Sequence, residues 1–245
     1  MLSFVNDDAV FDLMFMIEDA VFNRIPGVCF GVVVAGPLDN AREYPEIAAL
    51  LDAQTAALRQ RFAEVDAREH PGILPYREAF RGLGLNPNKF LSSIEALARR
   101  VQKGSELPRI NPVVDLSTAI SLKYLIALGA HDITKTTGNF EVRLARPGDS
   151  FLPIGEPFEE TPEAGEVVYA RGSSISTRRW IWRQSEHCKI DPSSRMIFFP
   201  LDGFRNSNET ALLAARDELA DHVQSIFGCN VRKGFLTREN PVMHW

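Results

Sequence analysis

"INPVVDLSTAISLKYLIALGAHDIT", residues 110–134, opens on a proline-bearing strand end or turn and then spaces Leu116, Ile120, Leu125 and Leu128 along one helical face. Asp115 stands where a helix N-cap belongs, and Gly129 where the helix should stop. Upstream, "VCFGVVV" (28–34) is apolar and β-branched between Pro26-Gly27 and Gly36-Pro37, the pattern of a buried strand. From Pro45 the stripe Ile47, Leu50, Leu51, Leu58 and Phe62 predicts a helix of roughly five turns. Residues 70–90 are rich in proline and glycine and read as an ordered connector with no regular element. "SSIEALARRV" (92–101) predicts a helix capped by Ser92 or Ser93, with Glu95 in its first turn and Gly104 past its end.

Downstream the language is β. "FEVRLA", "FLPIG", "EVVYA", "RRWIW" and "MIFFPL" are strand-like runs separated by turns such as "RPGD" and "DPSS". A last helix is predicted from Asn208 to Phe227, with Leu212, Ala215, Leu219, Val223 and Ile226 on one face. Helices interleaved with mostly antiparallel strands give an α+β class, and no flexible linker divides the chain, so one domain is expected over 1–245.

"TRRWIWRQSEHCKID" (177–191) crowds Arg178, Arg179, Trp180, Trp182, Arg183, Glu186 and His187 together. Strand alternation sets Trp180 and Trp182 on one face and Arg179, Ile181 and Arg183 on the other. Two readings stay open: a half-buried strand with a solvated cationic face, or the wall of a pocket for an anionic, ring-bearing ligand. Core packing is the commoner fate of a strand tryptophan, so at least one of the two is assigned to the core.

Bulk properties exclude several classes. Hydrophobic content of 45% and charged content of 24% are those of an average globular protein, and no apolar run reaches a membrane span. The acidic start "MLSFVNDDAVFDLMFMIEDAVF" lacks the basic region of a secretion signal. Net charge is −5, with 12 acids against 5 arginines in residues 1–75, and 20 acids against 22 bases in the rest. That balance counts against bulk electrostatic binding of nucleic acid and leaves a local phosphate contact open. Cys29, Cys188 and Cys229 are scattered without C-x-x-C spacing, which points to idle or buried thiols in a reducing cytoplasm. The five histidines show no ligand spacing, and G-x-G-x-x-G, P-loop, G-x-S-x-G and H-E-x-x-H motifs are absent. No metal and no cofactor are expected. The carboxylates of "FEETPEAGE" (158–166) read as a solvated loop.

Taken together, residues 110–134, "LARPGDSFLPIGE", the β runs, "QSEHCKID" and "FFPLDGF" resemble the B3/B4 editing domain of the phenylalanyl-tRNA synthetase β subunit. The resemblance runs over about residues 75–205 and is carried by Asn111 through Asp115, Gly148 through Glu156 and Gln184-Ser185-Glu186-His187. The other synthetase domains are missing, so it implies a free-standing B3/B4 module with an N-terminal extension and a C-terminal helix. Where the synthetase has Leu-His-Ala-Phe-Asp, this chain has Leu128-Gly129-Ala130-His131-Asp132, with the histidine displaced.

The activity so implied is hydrolysis, in trans, of the ester joining a wrong amino acid to its tRNA. The alternatives are a non-catalytic tRNA or amino-acid binding module, or a hydrolase of another small aminoacyl ester. An aminoacyl ester is already activated, so a positioned water, an orienting polar group and the neighbouring ribose hydroxyl suffice. Glu186 takes the place of the family glutamate that meets the polar part of the wrong side chain, a means of discrimination by an unpaired acceptor. Glu186, Ser117 and Asn111 are the catalytic candidates. His187, Asp115, Trp182, His131 and Arg109 are candidates for binding the substrate, and the acceptor end of tRNA is the expected partner. Asp115 and Ser117 also have structural readings, as a helix cap and as a first-turn serine satisfying the backbone.

Overall fold

The computed structural model describes residues 13–245. The acidic segment 1–12, on which much of the signal-peptide argument falls, lies outside the described residues.

The first half runs β1 (Met14–Ile17), α1 (Asp19–Arg24), β2 (Val28–Gly36), α2 (Pro45–Arg61), α3 (Leu74–Gly82), α4 (Ser93–Gln102) and α5 (Pro112–Tyr124). It continues with β3 (Ala127–Leu128), β4 (His131–Asp132), β5 (Phe140–Leu144), β6 (Val167–Arg171), β7 (Ser174–Arg178) and β8 (Arg183–Gln184). It closes with β9 (Ile197–Phe204), α6 (Glu209–Phe227), β10 (Asn230–Leu236) and β11 (Val242–His244). One sheet has the order β11-β1-β5-β6-β7-β8, and the other β10-β2-β9-β3 with β4 also on β9. Among the described residues every strand-to-strand pairing is antiparallel except β1 with β5, which makes this an α+β fold.

β2 explains the layering. All of its residues are buried, and their alternation feeds two cores. Phe30, Val32 and Val34 join Phe15, Phe140, Tyr169, Trp180 and Phe198 between the sheets. Cys29, Val33 and Ala35 join Leu116, Ile120, Leu212 and Leu219 from α5 and α6 on the outer face. Two glycines let α6 lie that close: a Cβ on Gly31 or Gly203 would stand 2.9 or 2.6 Å from a Leu212 methyl. Among the described residues no helix is long and apolar enough to cross a membrane.

Several sequence expectations are corrected. Residues 70–90 contain a helix, α3, which starts beside Pro75 and closes on Gly82, so the prolines and glycines punctuate it and do not prevent it. Its Arg77 forms a buried ion pair with Glu95 of α4, tying the two helices together. Ser92 caps α4 by accepting from the Glu95 amide at 3.3 Å. The cap of α5 is Asn111 and not Asp115: Asn111 Oδ1 accepts from Val114 N at 3.1 Å, while Asp115 lies inside the first turn. That helix ends at Tyr124, where Leu125 turns left-handed with φ 55°, four residues before Gly129. "FLPIG" forms only isolated bridges at Phe151 and Pro153.

The largest departure is at 178–182, where the expected strand breaks. β7 ends at Arg178, and Arg179 and Trp180 adopt left-handed φ of 48° and 63°. The two tryptophans therefore do not share a strand face. Trp180 is wholly buried between the sheets, while Trp182 packs edge-on against Phe90. Arg178 and Arg179 are buried as well, contrary to a solvated cationic face. Glu166, from the supposedly solvated loop, receives Arg178 at 2.9 and 2.8 Å and the Arg179 amide at 2.9 Å. One carboxylate thus fastens the turn that aims Trp180 inward.

Candidate functional site between the two sheets

A partly open cavity of about 90 Å³ lies where the sheets face each other. Sheet positions in β3, β4 and β9 form one side, and β6, β7, β8 and the Trp180 turn form the other. Six residues give it its chemistry: His131, Tyr169, Trp180, Trp182, Gln184 and Asp202.

Asp202 comes from β9 and is 2% exposed. Its Oδ1 accepts from Tyr169 Oη at 2.7 Å and from Trp180 Nε1 at 2.6 Å. Burial pushes its carboxyl up to about 7, and the two hydrogen bonds only partly offset that. Tyr76 of α3 fixes the backbone beneath it, donating to the Asp202 carbonyl at 2.8 Å.

His131, on β4, is 2% exposed, and burial pushes its imidazole down to about 3, so the ring is neutral at physiological pH. Its tautomer follows from Gln184. A backbone carbonyl only accepts, so the Gln184 atom 2.6 Å from the Ala130 oxygen is the amide nitrogen. The same nitrogen lies 3.1 Å from His131 Nδ1, which must then accept, and the Cys188 thiol approaches Nδ1 at 3.2 Å. The ring proton is thereby placed on Nε2. Nε2 faces Gly129 in the cavity wall, where an added Cβ would come within 3.3 Å of it. The cavity thus holds a fixed N–H donor and a buried carboxyl. Cys188, its thiol pushed up to about 11 by burial, is a structural neighbour of the histidine and no nucleophile.

The sequence candidates fall into three places. His131 and Trp182 line this cavity. Glu186 and His187 sit on the short 3₁₀ turn just after β8. There Glu186 accepts from Lys189 Nζ at 2.7 Å and from Gly155 N at 3.3 Å, and the Lys189 bond holds its carboxyl below the usual value. His187 Nε2 stands 3.4 Å from Glu159. Arg109, Asn111 and Asp115 line a separate hollow of about 540 Å³ beside α2. Asn111 is occupied as the cap of α5, Asp115 Oδ1 accepts from Ile110 N at 3.0 Å, and Arg109 reaches the Ala48 carbonyl at 3.0 Å and pairs with Asp52. Burial raises the Asp115 carboxyl. Ser117 donates to the Val114 carbonyl at 2.9 Å, the backbone-satisfying role.

The arginines of the opening cluster are engaged. Arg178 pairs with Glu166 and Glu160, Arg179 with Glu163 and over the rings of Phe90 and Trp182, and Arg183 with Glu156 at 3.0 Å. A role for them on phosphates would require breaking those pairs. Among the described residues no group of three or more His, Cys, Asp or Glu side chains is arranged to hold a metal ion. All three cysteines are free and buried.

Asp202, Tyr169 and Gln184 were not among the site candidates. Gln184 stands in the Gln184-Ser185-Glu186-His187 stretch that carried the resemblance, and Asp202 is an acid set in the otherwise apolar run "IFFPLDGF" (197–204).

A family model, the B3/4 domain, matches residues 75–225, from α3 into α6, and the chain belongs to that family. No curated protein matches it. Among solved structures it is similar to an N-terminal fragment of the phenylalanyl-tRNA synthetase β-subunit from Pyrococcus horikoshii, at 9% identity and a TM-score of 0.46. That similarity covers 91% of this chain and 54% of the other, so the chain spans about half the length of the structure it matches.

Proposed function

We propose that this B3/4 protein is an editing hydrolase that acts in trans, releasing an amino acid from misacylated tRNA by water attack on the aminoacyl ester. The observation that supports it best is the pairing, in one cavity, of the buried Asp202 carboxyl with the fixed His131 Nε2–H donor. A neutral imidazole donor suits an ester carbonyl oxygen as it gains negative charge, since a donor already held in place needs no reorganisation. The tRNA ribose hydroxyl and a held water supply the rest. A cavity of about 90 Å³ suits a small amino acid, given that a water takes about 30 Å³ of liquid. Glu186, on the turn two residues past Gln184, is assigned the selection among side chains.

The test is amino-acid release from a panel of misacylated tRNAs by wild type, His131→Phe and Glu186→Ala. Selective release that His131→Phe abolishes and Glu186→Ala redirects supports the reading. No release from any tRNA by well-folded protein overturns it.

The ion pairing of Arg178, Arg179 and Arg183 favours a second reading, a hydrolase of small aminoacyl esters that uses no tRNA. It predicts turnover of simple amino-acid esters with no competition by added tRNA.

A further inference from the structure

Other buried carboxylates among the described residues have a cation at hand. Glu95 meets Arg77, Asp149 meets Arg143 at 2.7 Å, Glu166 meets Arg178 at 2.8 Å, and Asp115 faces Arg109 at 4.0 Å. Asp132 lies in the field of Arg171. Asp202 is the exception. Its side-chain partners among the described residues are two neutral donors, Tyr169 and Trp180, and both bond to the same oxygen, Oδ1. No lysine or arginine lines the cavity it faces.

A buried carboxylate without a cation is costly, and the cost is relieved when a ligand brings the charge. The walls favour the same kind of ligand. Tyr169, Trp180 and Trp182 are among the residues that line the cavity, and aromatic side chains are favourable neighbours for an ammonium group. The space, about 90 Å³, admits a group of a few heavy atoms.

We propose that Asp202 receives the α-ammonium of the bound amino acid, so that the substrate class is small α-aminoacyl esters with a free amino group. This rests on the editing reading for the ester, and on the cavity alone for the ammonium. The bonds to Oδ1 orient the carboxylate and turn Oδ2 toward the ligand. Acylating the amine removes the charge that Asp202 pairs with, so N-acylaminoacyl esters are refused.

The probe is alaninamide, which carries the ammonium but no ester, compared with N-acetylalaninamide. Each is titrated into the whole protein while the Trp180 indole N–H resonance is followed by NMR. Alaninamide should shift that resonance saturably, and N-acetylalaninamide should leave it in place. Asp202→Asn, which preserves an acceptor for Tyr169 and Trp180, should weaken alaninamide binding on the order of tenfold or more. Equal shifts with both probes, or none with alaninamide, overturn the proposal, and this comparison decides even if the variant fails to fold. Alaninamide binding without deacylation of any tRNA leaves the ammonium site standing and removes the hydrolase. Equal hydrolysis of aminoacyl- and N-acetylaminoacyl-tRNA does the reverse.

Discussion

Trp180 donates its indole N–H to Asp202 Oδ1 at 2.6 Å from a residue whose own backbone is left-handed, with φ 63°. A left-handed residue with a side chain costs about 1–2 kcal/mol, and a hydrogen bond to a charged group returns about 1.5–3 kcal/mol. Trp180→Phe keeps most of the apolar burial and removes the donor. We expect a loss of roughly 2–3 kcal/mol in urea unfolding. The Asp202 carboxyl should also titrate higher, because the indole bond is one of the two that lower it. An unchanged Asp202 titration by NMR would mean that the bond does not form in solution.

Asp202 and His131 pull stability in opposite directions with pH. Asp202 titrates at about 7 folded against 3.8 as a free side chain, so between those values the folded state holds the extra proton and stability falls as pH rises. His131 titrates at about 3 folded against 6.5 free, so there the unfolded state holds the proton and stability falls as pH drops. Where the windows overlap the two slopes cancel. Thermal melts from pH 4 to 7 should therefore show Asp202→Asn uncovering a rise with pH and His131→Gln uncovering a fall. Parallel profiles for the two variants would contradict the burial of one group or the other.

Glu166 carries two duties, pairing with Arg178 and holding the Arg179 amide. Its removal leaves a buried guanidinium with Glu160 as its remaining partner. Glu166→Ala should cost about 3–5 kcal/mol, and Glu166→Gln clearly less because the amide oxygen still accepts from Arg179 N. Chemical unfolding of the pair measures the difference. Equal losses would assign the whole effect to the ion pair.

Because Arg178, Arg179 and Arg183 are already matched by glutamates, few counterions are released when a nucleic acid arrives. Any tRNA affinity should fall less than about tenfold between 50 and 200 mM salt, against about 10³–10⁵ for proteins with many phosphate contacts. Filter binding across that range is the check. A steep dependence would require a basic surface elsewhere on the molecule.

The sequence announced the elements whose periodicity is long enough to survive packing. β2, α2, α4 and α6 fall where their apolar spacing predicts them, to within a residue or two. β1 and β11, of four and three residues, were not legible, since pairing rather than pattern defines strands that short. The Trp180 turn was misread because alternation of large and charged residues is what a strand also shows, and the left-handed backbone is held by partners distant in sequence, Glu166 on the Arg179 amide and Asp202 on the Trp180 indole. The site was legible in part. His131 and Trp182 were candidates from the sequence, but Asp202 acquires its character from Tyr169, 33 residues away, and Trp180, 22 away. Such a group becomes special only once the sheets have closed over it.

β1 lies between β5 and β11, pairing Phe15 with Phe140 on one side and with Met243 on the other. Phe15, fully buried against Phe30, Tyr169 and Phe198, is therefore enclosed only after the chain from β1 through Met243 has been synthesised. At roughly 5–20 residues per second, the ribosome needs on the order of ten seconds or more before Met243 can arrive. During that interval the edge of β1 that β11 later covers stays open, with its backbone donors and acceptors unpaired on that side.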